Sequence, residues 1–284
     1  MFRRPGGLPV ELWWVFPASV LFSTIAISSG VSGALFFSPF FMLVVGLSPA
    51  QAIGAGLLTE VFGMGNGLRL YVRQRAVDFA TARWILAASV PTAGLGALVA
   101  HRMPGELLKL LFGLGLLGLA GALVANPARR GAAGGEAAAG ASDAPGRTLR
   151  TRDGQTYHLG ACSRGSTAAL SALGGFLTGL ISAGLPELNT TQLVVRCRVP
   201  PRIAVATSVF TLAITALVGA GVHALAAQPA WHVVRWSVPG VLCGSFLGSR
   251  LSRVLPAEAM EMWLGIVFAA VGTLVLAVQW MHRG

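Results

Sequence analysis

Charge is what this sequence has least of. Of 284 residues only 11% are Asp, Glu, Lys or Arg, against about 25% in soluble domains. That is too little to cover a water-facing surface, so a soluble globular protein is excluded. Disorder is excluded too, because it needs low hydrophobicity and high charge, and 54% of these residues are hydrophobic. Lysine is almost missing, with Lys109 the single one among 21 basic residues. The three cysteines, Cys162, Cys197 and Cys243, form no C-x-x-C pair. They indicate neither a disulfide framework nor a zinc site, and they read as packing residues. No Gly-rich loop ends in Lys, so neither a cofactor nor ATP drive is expected.

What is present is apolar. Mean hydropathy is +0.70, and the 37 glycines suit transmembrane helices. Long apolar runs alternate with short polar loops, which points to an integral, multi-pass protein of the inner (plasma) membrane. The net charge of +11 sits between the runs, where Arg acts as a topology signal, so no nucleic-acid partner is expected. Arg3 and Arg4 resemble a signal-peptide n-region, but the apolar run beyond them is too long, and it reads as retained membrane structure.

The runs fall into two sets. Val10–Val45, Ala50–Val72, Ala80–Ala100 and Leu107–Ala125 precede a polar stretch, Asn126–Ser166, which reads as a mobile loop. Thr167–Ala183, Leu185–Val195, Ile203–Ala227, Val233–Leu255 and Ala259–Met281 follow it. A shift of 152 residues aligns the sets without a gap. Pro49 falls on Pro201, Thr59 on Thr211, Arg83-Trp84 on Arg235-Trp236, Leu95-Gly96 on Leu247-Gly248, and Pro104 and Glu106 on Pro256 and Glu258. Such duplication is common among secondary transporters. The expected units are a first transmembrane repeat at 8–125, a flexible cytoplasmic loop at 126–166 and a second repeat at 167–281.

Val10–Val45 is too long to cross once and too short to cross twice. It is interrupted at Ser28-Ser29-Gly30-Val31-Ser32-Gly33, and Thr167–Val195 is interrupted at Ser182-Ala183-Gly184-Leu185-Pro186. Irregular backbone at membrane depth is tolerated only where it is protein-buried or lines a cavity. Matching breaks therefore point to a binding site. If both broken segments are re-entrant, the repeats are inverted; if each crosses once, they are parallel. The distribution of arginine does not separate the two. The short polar limb 185–195 favours inversion.

The second break continues Glu187-Leu188-Asn189-Thr190-Thr191-Gln192. Pro then Glu is a helix-start signal, and a helix start at membrane depth offers free N–H groups to an anion. Gly184, Asn189, Thr190 and Thr191 are candidate substrate contacts here. Ser29, Ser32 and Gly33 are the candidates at the first break. The alternatives are polar groups that only satisfy broken backbone, and a close-packed Gly/Ser contact. Glu60 and Glu187 lie within apolar runs, where an acid is a functional hypothesis by default, here proton coupling. Their alternatives are an ion pair of Glu60 with Arg69 and a helix N-terminal charge at Glu187. Asn66 reads as helix–helix glue, and Arg196, Arg198 and Arg202 as topology signals that could also attract an anion. His101 and His223 read as interfacial. Gly30-Val31-Ser32-Gly33 also matches the G-x-S-G of rhomboid intramembrane proteases, a weak match in so glycine-rich a chain.

The breaks, the P-x-x-A helix openings (Pro49 to Ala52, Pro201 to Ala204) and the duplication resemble the sulfite exporter TauE/SafE family. The segments Gly184–Phe210 and Arg83–Gly113 carry the resemblance best. It implies an inner-membrane permease for small sulfur-containing or organic anions, moved outward. The Gly triplet common at the family's breaks is absent from GVSGALFFSP and AGLPELNTTQ, which suits a different anion or proton-linked transport. The expectation is an all-α polytopic membrane protein of two homologous halves, each a broken segment plus three helices. It would be a secondary transporter rather than an enzyme. Its partners would be a small-molecule anion and the lipid bilayer, and a homodimer is compatible with it. A membrane scaffold or sensor, with the central loop binding a soluble partner, is the second class.

Overall fold

A computed structural model describes residues 12–29, 32–125, 147–227, 230–251 and 257–281. They form an all-α protein with one small hairpin. The first set of helices is α1 (Val15–Ser29), α2 (Ala34–Leu43), α3 (Pro49–Arg73), α4 (Phe79–Arg102) and α5 (Gly105–Ala125). Strands β1 (Arg147–Arg150) and β2 (Thr156–Leu159) follow. The second set is α6 (Arg164–Ile181), α7 (Leu185–Thr191) with a π turn (Gln192–Arg196), α8 (Pro201–Ala226), α9 (Trp231–Leu251) and α10 (Ala257–Met281).

Helix starts follow from the sequence. Pro49 and Pro201 occupy first-turn positions of α3 and α8, where a missing N–H costs nothing. Asp78 caps α4 by accepting from the amides of Ala80 and Thr81 at 3.1 and 3.3 Å. Among the described residues, α4 and α8 are both long and apolar enough to cross a bilayer. Their 24 and 26 residues span roughly 36–39 Å at the α-helical rise, against a hydrocarbon core of about 30 Å.

Both broken segments stop where the sequence breaks. Between α6 and α7 the chain turns through Ser182 (φ 54°) and Gly184 (φ 117°). The latter angle is one that a side chain tolerates poorly. The chain then doubles back, which brings Cys162 before α6 to Cys197 after the π turn, where a disulfide joins them with Cα atoms 4.9 Å apart. This corrects the reading of both as packing residues. They are 35 positions apart in sequence and meet only because the intervening segment is a hairpin. Cys243 is free and exposed.

Helix packing repeats at the 152-residue spacing. Gly96 of α4 lies against the Phe176 carbonyl of α6, too close for even a methyl group. Its counterpart Gly248 of α9 lies against the Thr24 carbonyl of α1, where a Cβ would be 2.7 Å away. Thr24 is the counterpart of Phe176. Gly240 and Gly244 likewise follow Phe16 and Val20 along α1, so α1 and α9 run in the same direction. Small residues that let backbones approach are the usual membrane-helix contact.

The distribution of polarity is that of a membrane protein. Ser19, Ser23, Ser38, Thr59, Ser89, Ser171, Thr211, Thr215 and Ser237 are buried. Leu21, Phe62, Leu95, Leu114, Leu173, Leu217, Phe246 and Leu274 are exposed. The inner hydroxyls pair between helices: Thr59 with Ser237 at 2.8 Å and Ser89 with Thr215 at 2.9 Å.

The segment read as a loop, 126–166, holds more structure than its sequence suggested. Residues 126–146 lie outside the described residues, but β1 and β2 pair antiparallel with Arg147 opposite Leu159. The hairpin is anchored to the α3–α4 turn. Arg147 bonds Asp78 at 3.1 Å, the Arg152 amide donates to the Gln74 carbonyl at 3.0 Å, and Arg202 bridges Asp153 (2.8 Å) and Gln74 (3.3 Å). Such distant partners leave no local hydropathy pattern.

Close glycine contacts make a test. Gly179 packs against the Ala93 carbonyl with no room for a Cβ, whereas Gly65 faces open space. Gly179→Leu should destabilise the protein by about 1–3 kcal/mol or more, read as a lower unfolding temperature and less monodisperse protein in detergent. Gly65→Ala should behave as wild type. Equal behaviour of the two would refute this α4–α6 packing.

Candidate functional site

The two breaks meet inside the protein. At the first, α2 begins with Gly33 as its N-cap, without a side-chain cap of its own. The carboxyl comes from the neighbouring helix instead. Glu60 of α3 is buried, and its Oε1 accepts from the Ser32 hydroxyl. The amides of Gly33 and Ala34 lie against the same carboxyl. Glu60 thus occupies the positive end of α2. Its other oxygen, Oε2, has no hydrogen-bond partner among the described residues. Gly56 makes this possible, because α2 and α3 approach so closely there that a Cβ would strike Ser38. Ser32 is the partner of Glu60; Arg69, the alternative read from sequence, is exposed.

At the second break the cap is internal. Glu187 Oε2 accepts from the Gly184 amide at 3.0 Å, and the Leu185 amide donates to Thr178 Oγ1 at 3.2 Å. The Gly184 and Leu185 amides at this helix start are therefore engaged. The breaks are tied by Ser38 and Ser182, whose hydroxyls are 2.7 Å apart. Glu187 is also near enough to act electrostatically on Glu60.

The sequence candidates fall into separate places. Ser32, Gly33 and Glu60 form one cluster. Gly184, Glu187 and Thr191 line a largely apolar cavity of about 570 Å³ between α5, α6 and α7, which Gln192 and Arg196 also reach. The Thr191 hydroxyl is spent on the Glu187 carbonyl at 2.8 Å. Asn189 is buried outside that lining. Its Oδ1 accepts from Ser171 at 3.0 Å, while Nδ2 has no partner among the described residues. A buried amide donor left over in this way calls for a ligand or water. Thr190 is half-buried and lines neither place. Ser29 ends α1; its side chain, that of Asn66, and Gly30 and Val31 of the G-x-S-G run lie outside the described residues.

Two groupings were missed from sequence. Ser38 falls on Thr190 at the 152-residue shift, so the repeat itself carried that signal. The second corrects the interfacial reading of His101 and His223. His223 is buried, with Nδ1 2.9 Å from His101 Nε2 and Nε2 2.9 Å from the Gly179 carbonyl. A carbonyl only accepts, so His223 Nε2 carries the proton. In the neutral ring Nδ1 then accepts from His101.

The profile described as sulfite exporter TauE/SafE matches residues 15–275, and the chain belongs to that family. It is a membrane transporter. The chain is 25% identical over 249 residues to the probable membrane transporter protein YunE of Bacillus subtilis (strain 168), covering 85% of this chain and 86% of the relative. It is also 25% identical over 238 residues to the probable membrane transporter protein YjnA of the same organism, covering 79% and 85%. No solved structure matches the chain.

If Ser38 and Ser182 hold the breaks together, replacing both by Ala should show coupling. A double-mutant cycle on thermal stability should give about 0.6 kcal/mol, and at most ~1.7, as for hydrogen bonds between membrane helices. Strict additivity would mean that the two breaks do not meet through these hydroxyls.

Proposed function

We propose that the protein is a multi-pass secondary transporter of the cytoplasmic membrane that exports a small anion such as sulfite, an organosulfonate or a carboxylate, with proton coupling through Glu60. The carrying observation is that the Glu60 carboxyl occupies the N-terminus of α2, where a substrate anion would bind. Protonation neutralises this resident carboxylate and weakens its hold on the α2 amides. Those amides and Ser32 then become available to the substrate. A dianion leaving with one proton carries net charge −1. A potential negative inside favours that exit by about 2.3 kcal/mol per 100 mV. Gly33 and Ser29 would shape the first break. Asn189, with its spare Nδ2 donor, Gly184, Thr190 and Thr191 would complete the site from the second, with Glu187 a further proton site once its cap opens.

The running directions of the helices support inverted repeats. The α6–α7 segment begins and ends on one side, so each set reverses orientation relative to the other. Arg73, Arg75, Arg147, Arg150, Arg152, Arg164, Arg196 and Arg198 gather on that same side, which the positive-inside rule makes cytoplasmic. The exposed Trp13, Trp231 and Trp280 sit at the opposite ends, where indole rings anchor to a membrane interface.

Orientation can be read by labelling. A cysteine introduced at exposed Thr148, in a Cys243→Ser background, should react with an impermeant maleimide in inside-out vesicles and not in intact cells. The reverse pattern would overturn the orientation. Function is tested in proteoliposomes. Labelled sulfite should leave loaded vesicles only when the protein is present, with sulfonates and carboxylates competing, and Asn189→Ala should cut the flux about tenfold or more. Efflux of an alkylsulfonate, whose charge is constant across the range, should quicken as the interior is acidified. In Glu60→Gln it should lose that dependence. Folded protein that moves none of these anions sinks the anion reading. An unchanged pH response in Glu60→Gln removes Glu60 from the coupling.

A further inference from the structure

We propose that the cleft between the end of α3 and the β-hairpin binds a polyanion bearing two phosphate groups, at a site separate from the two breaks and independent of the transport reading. The cleft encloses about 610 Å³ and is lined by Arg73, Arg75, Arg150 and Arg152 together with Thr151 and Gly154. No acid lines it. The acids nearest in the fold are already taken, Asp78 by Arg147 at 3.1 Å and Asp153 by Arg202 at 2.8 Å. None of the four lining guanidinium groups is in an ion pair among the described residues. Four exposed guanidinium groups share one open space whose lining holds no carboxylate, an arrangement that favours an anion with more than one charge.

A topology signal does not require this arrangement. Arginines that only fix orientation need to lie on the correct side. Here residues from the α3–α4 turn and from the hairpin tip, far apart in sequence, are brought to one cleft by a dedicated scaffold. The Arg152 amide is held by the Gln74 carbonyl at 3.0 Å, and Arg202 reaches Gln74, Asp153 and Tyr157 at 3.3, 2.8 and 3.3 Å. These bonds hold the hairpin in place. Its tip turns through Gly154 at φ 81°, and open space lies where a side chain would have been. Guanidinium forks match phosphate oxygens two by two. A cleft of this volume is larger than one phosphate needs and falls within the usual range for small-molecule sites. The exposed Leu70 and Val72 in the last turns of α3 place the cleft beside the lipid surface. A diphosphate lipid headgroup and a soluble diphosphate both meet this chemistry.

The test uses the full chain purified in neutral detergent. Inorganic pyrophosphate and cardiolipin are the two probes, with phosphatidylcholine as the uncharged control. Thermal shift reads pyrophosphate, and native mass spectrometry reads retained lipid. At least one probe should bind, more weakly as salt rises, and the Arg75→Gln/Arg150→Gln pair should weaken it by about tenfold or more. The Arg75→Lys/Arg150→Lys pair keeps charge and orientation, and it serves if the Gln pair does not fold. It should also bind more weakly, because an ammonium offers no fork. Binding of pyrophosphate alone assigns a soluble ligand, and binding of cardiolipin alone assigns a lipid headgroup. Both outcomes uphold the site. Binding of neither probe above the control, or binding equally strong in the variants, overturns it.

Discussion

Everything in this fold depends on how two interrupted helices satisfy their first amides where there is no water to do so. An unpaired backbone group in an apolar medium costs several kcal/mol, enough to rival the net stability of a whole domain. The first break sets the Glu60 carboxyl against the Gly33 and Ala34 amides, and the Ser32 hydroxyl donates to that same carboxyl. The second break meets that cost with Glu187 and Thr178. The rest of the packing serves these contacts. Gly56 lets α2 come close enough for Glu60 to reach its end, and Gly174 and Gly175 let α6 fit between Leu185 and the Ser89 backbone. The cores hold the limbs in place, as where Phe22 of α1 meets Phe40 of α2 at 5.0 Å between ring centres.

The two acids are not copies of each other. At the 152-residue spacing Glu60 falls on Leu212 and Glu187 falls on Leu35. The halves share a backbone problem and a helix order, yet each supplies its carboxyl from a different position. The same divergence runs through the interior. Ser89 and Thr215 form a hydrogen bond at 2.9 Å, while their counterparts, Val241 and Gly63, form an apolar contact. At this spacing the contacts recur in position while their chemistry differs.

Much of the fold was legible in the sequence, because a helix in lipid must be apolar along its own length, and that is a local signal. The breaks were legible for the same reason: Gly, Ser and Pro interrupt the pattern at Ser29–Gly33 and Ser182–Pro186. What was not legible depends on partners distant in the chain. Cys162 and Cys197 have no motif spacing and meet only at the foot of a hairpin. His223 lies near the end of α8, and nothing local says that the Gly179 carbonyl and His101 close over it. The short strands are held by Asp78, Gln74 and Arg202 and by only a few apolar side chains, Leu149, Tyr157 and Leu159, packed on the core. Within the site, Ser32, Glu60 and Glu187 were singled out from sequence, and the structure places them at the two helix starts. The availability of the helix-start amides was not legible, since a one-dimensional pattern shows the donors without showing that neighbouring carboxylates have taken them.

The two caps also differ in what they can transmit. Glu187 sits on the short helix that it caps, so making or breaking its bond to Gly184 changes little beyond that turn. Glu60 belongs to α3 and caps α2, so its bond joins two elements that are otherwise connected by the turn at 44–48 and by packing at Gly56. It is a polar tie between a limb of ten residues and a helix of 25. Ser38, on that same limb, reaches Ser182 of the other break. The contacts of Glu60 and Ser38 thus link α2 both to α3 and to the second break. Of the two acids, Glu60 is the one whose hydrogen bonding joins two separate helices, whereas Glu187 bonds within its own turn.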